Sequence, residues 1–275
     1  MVAILIIQKN LEPKKVKLNL DKIKESFCFL FVGHWLQGDI GEDRKNVGLM
    51  LKTFLETFKN KKKKPALVMK TMSGAASIMD REDILKKIDA IRKGVTGSLP
   101  NVYLIHGEIE DGDMNHLYNH PKIKAMVSFT KGEGFGRPLL EFSLIDKPII
   151  ASGWSGQLDF LHKDYTALCG GKINPIDKSA QVKGMLIEGT QWFDVDHNYV
   201  NHFYNDVINN YNGWVEKAKN QGKHSRDNFN FNKMKDKISE ILSRNLKELP
   251  KKMELKLPGM DKIKMPKKNK LKIVK

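Results

Sequence analysis

The chain has 275 residues, 40% of them hydrophobic and 29% charged, with a formal net charge of +16. That balance fits a soluble globular protein with one large or two small cores and excludes a collagen-like, low-complexity or disulfide-scaffold chain. The longest apolar runs, Val2 to Ile7 and Phe27 to Gly33, are too short to span a bilayer. No basic–apolar–small leader pattern precedes them, and two cysteines, Cys28 and Cys169, make no framework, so the expected location is the reducing cytoplasm.

Residues 1–26 read as a short apolar run and a polar linker. Phe27 to Gly33, FCFLFVG, is a continuous apolar strand that ends in glycine, as in a buried parallel sheet. A loop with two glycines, HWLQGDIGEDRKN, leads to a helical stripe from Val47 to Phe58. The block Lys59 and Lys61 to Lys64 reads as a solvated turn or, more sharply, as an anion-facing patch. Ala66 to Lys70 is the next strand. Asp80 to Lys93 is a helix with Asp80 as its N-cap. Pro100 to His106 is a further strand, and Asp113 to Asn119 a short helix whose Leu117 and Tyr118 pack inward. His106, His116 and His120 show no ligand spacing and read as structural or exposed.

Met126 to Phe129 is a strand, and the glycines of KGEGFG, Lys131 to Gly136, end it. Pro138 suits the first turn of a helix, Leu139, Leu140, Phe142, Ser143 and Leu144 supply its buried face, and Lys147-Pro148 breaks it before the strand Ile149 to Ala151. A second glycine pair in GWSGQLDFL, Gly153 to Leu161, precedes another helix start and could close over a ligand. Tyr165 to Leu168 is a strand, Gly170-Gly171 a turn, and Tyr199 to Lys219 one long amphipathic helix. The alternation predicts an α/β fold, a doubly wound Rossmann-like parallel sheet, with ligands bound beyond the carboxyl ends of the strands.

The stretch Ala125 to Ser152 carries the strongest chemistry. A strand entering a helix through glycines aims free N–H groups and a helix dipole at one spot, which suits phosphate. Glu133 in the loop and Glu141 inside the helix cannot both bind phosphate; they suit hydroxyls. A ligand with phosphates and sugar hydroxyls together explains the set.

Glu133-Gly-Phe-Gly-Arg-Pro-Leu-Leu-Glu141, followed by KPIIAS, resembles the Glu-x7-Glu signature of retaining glycosyltransferases of the GT-B fold, the glycosyl transferases group 1 family. The resemblance covers about Phe27 to Leu242, with Arg226 to Leu242 resembling the family's closing helix, and matches the C-terminal, donor-binding half of a GT-B fold. It implies domains at 1–26 (linker or remnant), 27–245 (nucleotide-sugar-binding Rossmann-like domain) and 246–275 (Lys/Pro-rich tail). It further implies Glu133 and Lys45 as catalytic residues, and a donor site of Gly33, His34, Arg44, Lys45, Glu133, Gly134, Phe135, Gly136 and Glu141. His34 stands where the family has an arginine after the strand glycine, and Arg44 is placed to substitute. Lys45 and Arg44 would neutralise the donor diphosphate and the amides of Gly134 to Gly136 its developing charge, while Glu133 orients the sugar and Glu141 the ribose. No cofactor or metal is expected.

The expected function is therefore retaining hexosyl transfer from a nucleotide-diphosphate sugar to an acceptor, present here as the donor half. A GT-B enzyme needs a second Rossmann-like half for its acceptor, so the chain reads as a fragment, a split enzyme with an N-terminal partner, or a remnant without turnover. The alternatives are a non-catalytic nucleotide-sugar or phosphate-binding module on an acidic surface, and a nucleotide-sugar epimerase. Eleven lysines against three acids from Lys247 to Lys275 put half of the net charge in the tail. This tail reads either as solvated or as adhering to an acidic membrane; it has no aromatic residues, which argues against specific nucleic-acid binding.

Overall fold

In each central strand, successive side chains serve opposite faces. The computed structural model describes residues 17–186 and 188–246. Its first strand, β1 (Cys28–Val32), sends Phe29 and Phe31 into one buried cluster and Cys28 and Leu30 into another. β2 (Ala66–Thr71) does the same with Leu67 and Met69 against Ala66 and Val68. Such strands are buried on both sides, which is why they read as unbroken apolar runs rather than alternating ones.

With β3 (Val102–His106), β4 (Ile123–Ser128), β5 (Ile149–Ser152) and β6 (Ala167–Cys169), they form one sheet in the order β3-β2-β1-β4-β5-β6. Every pairing in it is parallel. Helices α1 (Val47–Phe58) and α2 (Ile78–Lys93) cover one face, joined there by α5 (His197–Asn209). On the other face lie α3 (Asp111–Asn119) and α4 (Arg137–Ser143). The fold is thus the doubly wound, Rossmann-like sheet that the alternation of elements implies. Cys28 and Cys169 are buried and free, and burial pushes both thiols up, Cys28 to about 12.

The N-cap of α2 is Ser77, whose hydroxyl accepts the Asp80 N–H, not Asp80 as the spacing suggests. Asp80 instead turns its carboxylate to the Ser73 N–H and to His106 Nε2, 2.7 Å away, and so pins the loop after β2. Gly171 is not in a turn. It opens β7 (Gly171–Pro175), which pairs antiparallel with β8 (Gln191–Val195) in a separate two-stranded sheet. The expected long helix from Tyr199 is two helices, α5 and α6 (Tyr211–Asn228), broken at Asn210. Asparagines are poor helix formers because their side chains compete for the backbone, and the run Asn209-Asn210 falls at this break. The Trp214 indole N–H bridges it, donating to Asp206 Oδ2 at 2.8 Å.

The residues divide into two units, 1–231 and 232–275. The helix α7 (Phe231–Asn245) opens at that boundary, and Arg226 belongs to α6 rather than to it. The expected N-terminal remnant falls in part, and the tail past Leu246 wholly, outside the described residues. Among the described residues no helix is long and apolar enough to cross a membrane.

Candidate functional site

At β1 the chain order of the sheet reverses, because β2 lies on one side and β4 on the other. The loops after β1 and β4 therefore leave in different directions, and a crevice opens between them at the carboxyl ends of the strands. A cleft of about 460 Å³ lies there. Its lining includes Gly33, His34, Arg44, Lys45, Glu133 and Glu141, so six of the sequence-derived site residues meet in one place. Both acids face the same cavity.

The first wall is the β1–α1 loop. Asp43 is fully buried, and its carboxylate accepts the Val47 N–H at the start of α1, while Asn46 takes a left-handed φ of 54°. Burial pushes the Asp43 carboxyl up, against hydrogen bonds from Val47 and Gly48 that hold it down. This turn fixes Arg44 and Lys45 between two anchored residues. Arg44 C=O accepts the Lys131 N–H at 2.8 Å, and the Arg44 guanidinium donates to Gly132 C=O at 2.7 Å. Lys45 Nζ forms an ion pair with the Glu133 carboxylate, and Arg44 Nη1 lies 3.8 Å from the same oxygen. Burial pulls the Lys45 ammonium below the usual lysine range, while its bond to Glu133 opposes that pull.

The second wall is α4. Glu141 is buried, with Oε2 accepting the Tyr118 hydroxyl at 3.0 Å. Its Oε1 lies 3.3 Å from Arg137 Nε but makes no hydrogen bond, and it is shielded from solvent. Burial raises the Glu141 carboxyl, and the Tyr118 bond acts the other way. Tyr118 is itself held from behind. Lys147 donates to the carbonyls of Tyr118 and His120 at 2.6 and 2.9 Å, and burial pushes its ammonium down to about 7.

Gly134, Phe135 and Gly136 do not line the cleft. They turn toward the β5 loop. The Phe135 ring packs on Phe160 at 5.5 Å, Gly136 adopts a φ of 86°, and a Cβ on Gly156 would meet Gly134 O at 2.2 Å. The GWSG loop after β5 does not line the cleft. Its Gly156 N–H and Ser155 hydroxyl donate to Glu133 C=O, and Ser155 Oγ accepts the Glu133 N–H. Gly156–Asp159 forms only a short 3₁₀ turn. The loop is a buttress for Glu133.

The sequence reading passed over Lys70, Glu108, Asp111, Asn115 and Arg137, all in the lining, and read Tyr118 as packing only. Lys70 carried a usable signal: a lysine at the carboxyl end of an apolar strand faces the site edge of a parallel sheet. Burial lowers its ammonium. Lys131 was missed for another reason. It is 1% exposed, pairs with Asp194 of β8, lies 3.7 Å from Glu42 and sits 5.2 Å from the Trp192 ring centroid. Its backbone C=O also accepts the Phe193 N–H. Lys131 therefore ties two segments, the β1–α1 loop and β8, to the loop that carries Glu133.

No family model and no curated protein matches this sequence. Solved structures do match. Sucrose-phosphate synthase from Thermosynechococcus elongatus superposes with a TM-score of 0.52 at 15% identity, over 79% of this chain and 45% of that one. A glycosyltransferase from Rickettsia africae ESF-5 gives 0.51 at 15%, over 81% and 48%, and TarM gives 0.51 at 14%, over 77% and 34%. The fold is that of the C-terminal domain of GT-B glycosyltransferases. At these identities the likeness is one of fold, and this chain spans less than half of the length of each of these three structures. In this fold, the crevice beside β1 is where Glu133, Glu141, Arg44 and Lys45 are gathered.

Proposed function

We propose that this domain binds a nucleotide-diphosphate sugar and serves as the donor half of a retaining hexosyltransferase. The observation that carries the reading is Glu141 Oε1. A buried carboxylate oxygen without a hydrogen bond is costly and calls for an explanation. A ribose hydroxyl donating to it would supply the missing bond. Across the same cleft, Lys45 and Arg44 offer cationic charge to a diphosphate, and Glu133 stands between them and the sugar. In this reading the lysine and arginine stabilise the departing diphosphate, which gains negative charge as the glycosidic bond breaks. The two basic side chains take the part that a divalent ion plays elsewhere. The sugar's acceptor would approach from the open side, where a second Rossmann-like half belongs in a GT-B enzyme.

The site is tested by calorimetry with candidate nucleotide sugars. Lys45→Ala and Glu141→Ala are each expected to weaken binding tenfold or more, about 1.4 kcal/mol. Equal affinities for wild type and both variants would reject the donor assignment. A turnover assay with an added acceptor half then separates a transferase from a module that only binds the donor.

A further inference from the structure

At the opposite edge of the same sheet, a second cleft of about 740 Å³ lies between the starts of β1, β2 and β4. Five lysines line it: Lys24, Lys61, Lys63, Lys64 and Lys124. Among the described residues none of the five has a carboxylate within ion-pair distance. The one acid in the wall, Glu25, is engaged elsewhere: it accepts from Asn101 Nδ2 at 2.6 Å and from the Tyr103 hydroxyl at 2.9 Å.

Several of these lysines are held in place rather than left loose. Lys61 sits 5.0 Å from the Phe58 ring centroid and donates to Asn205 Oδ1. Lys64 donates to Ser98 Oγ at 2.9 Å, and Lys124 lies 5.7 Å from the Tyr211 ring centroid. Surface lysines ordinarily sit among acids or extend freely into water. Here neutral partners fix cations around a concavity, and the single carboxylate in the wall, Glu25, offsets only part of their mutual repulsion. An anion in the cleft would relieve it.

We propose that this cleft is a binding site for a multiply phosphorylated group, either a free compound or the headgroup of a polyphosphoinositide lipid. The cleft has the volume of a small-molecule site. Its concave form and its ring of ammonium groups suit several phosphates clustered on one ligand. Nucleic acid fits less well, because the lysines enclose a pocket instead of tracking along a groove, and of its aromatic wall residues Phe58 is buried and Phe27 half-buried, which leaves no open ring face for successive bases. The site is separate from the crevice beside β1, and it stands or falls independently of the donor reading.

The test uses inorganic tripolyphosphate and the full chain. Calorimetry compares wild type with Lys61→Glu/Lys63→Glu/Lys64→Glu, with the milder Lys24→Gln/Lys124→Gln, and with Arg44→Ala/Lys45→Ala in the other cleft. Binding that falls at least tenfold in the first variant and severalfold in the second, but persists in the third, supports the site. Loss only in the third variant, or equal binding in all, overturns it. Phosphatidylcholine vesicles carrying a polyphosphoinositide then distinguish the sources. Co-sedimentation that the lysine variants abolish and tripolyphosphate competes away identifies the headgroup; tripolyphosphate binding without co-sedimentation identifies a free compound. An oligonucleotide bound more tightly than tripolyphosphate, and lost in the same variants, would overturn the proposal in favour of a nucleic-acid surface.

Discussion

Lys45 and Glu133 are joined by an ion pair across the mouth of the crevice, each with most of its side chain withdrawn from solvent. The pair links the two loops that diverge at the middle of the sheet. It also means that a phosphate arriving at Lys45 competes with a carboxylate already there.

Removing that competitor should help a bare nucleoside diphosphate and harm the sugar-bearing donor. Glu133→Gln is expected to tighten diphosphate binding by roughly 0.5–1 kcal/mol, the scale of a partly exposed pair, and to weaken the nucleotide sugar. Because Glu133 is what holds the Lys45 ammonium up against burial, the variant should lose diphosphate affinity at a lower alkaline pH than wild type does. Calorimetry from neutral to alkaline pH checks both effects. A parallel fall for the two ligands would contradict them.

Glu141 should cost stability at neutral pH. Its carboxyl is raised in the folded state. A raised carboxyl favours folding fully only below its unfolded value, and that contribution is lost as pH rises through the folded value. Glu141→Gln keeps the shape and removes the buried charge. It is therefore expected to raise stability near pH 7 by on the order of 1 kcal/mol, with the gain shrinking as pH falls through the raised folded value and gone below the unfolded carboxylate value. Denaturant melts at several pH values measure this, and a gain that is constant with pH would point to packing instead.

Gly156→Ala should disturb the loop that carries Glu133. Its new Cβ would stand 2.2 Å from Gly134 O and 2.7 Å from Glu133 O, both backbone atoms. Backbone cannot step aside as a side chain can, so about 1–3 kcal/mol of destabilisation is expected. Thermal unfolding measures it. An unchanged melting temperature would show that the two loops are not in contact.

Lys131→Met should leave Asp194 without its cationic partner, with only the Asn174 side-chain amide still donating to it. Breaking a fully buried pair costs about 3–5 kcal/mol. Asp194 is 28% exposed in its side chain, so roughly 2 kcal/mol is the expected loss. Adding Asp194→Asn should restore part of it, and a double variant no better than the single would reject the pairing as the cause.

Much of the scaffold was written in hydrophobic runs. FCFLFV and ALVMK are buried on both faces, and α1 begins and ends at Val47 and Phe58 as its apolar stripe predicts. The hairpin β7–β8 escaped notice because its first strand, GKINP, is almost wholly exposed and carries a glycine and a proline. The break at Asn210 escaped because apolar spacing continues across it. At the crevice, the positions of Glu133 and Glu141 follow from loop and helix spacing, while Arg44 and Lys45 were pointed to by the family resemblance alone. The burial of Lys131 does not, since a lysine among glycines looks solvent-facing until Asp194 and Trp192 arrive from a distant strand.

The crevice beside β1 owes its existence to chain routing rather than to any side chain. Its scaffold would therefore survive wholesale replacement of the residues at its rim. Proteins that have drifted far apart in sequence can keep the same slot while changing what it holds. For an engineer, redirecting this one means rewriting three loop tips and leaving the six strands alone.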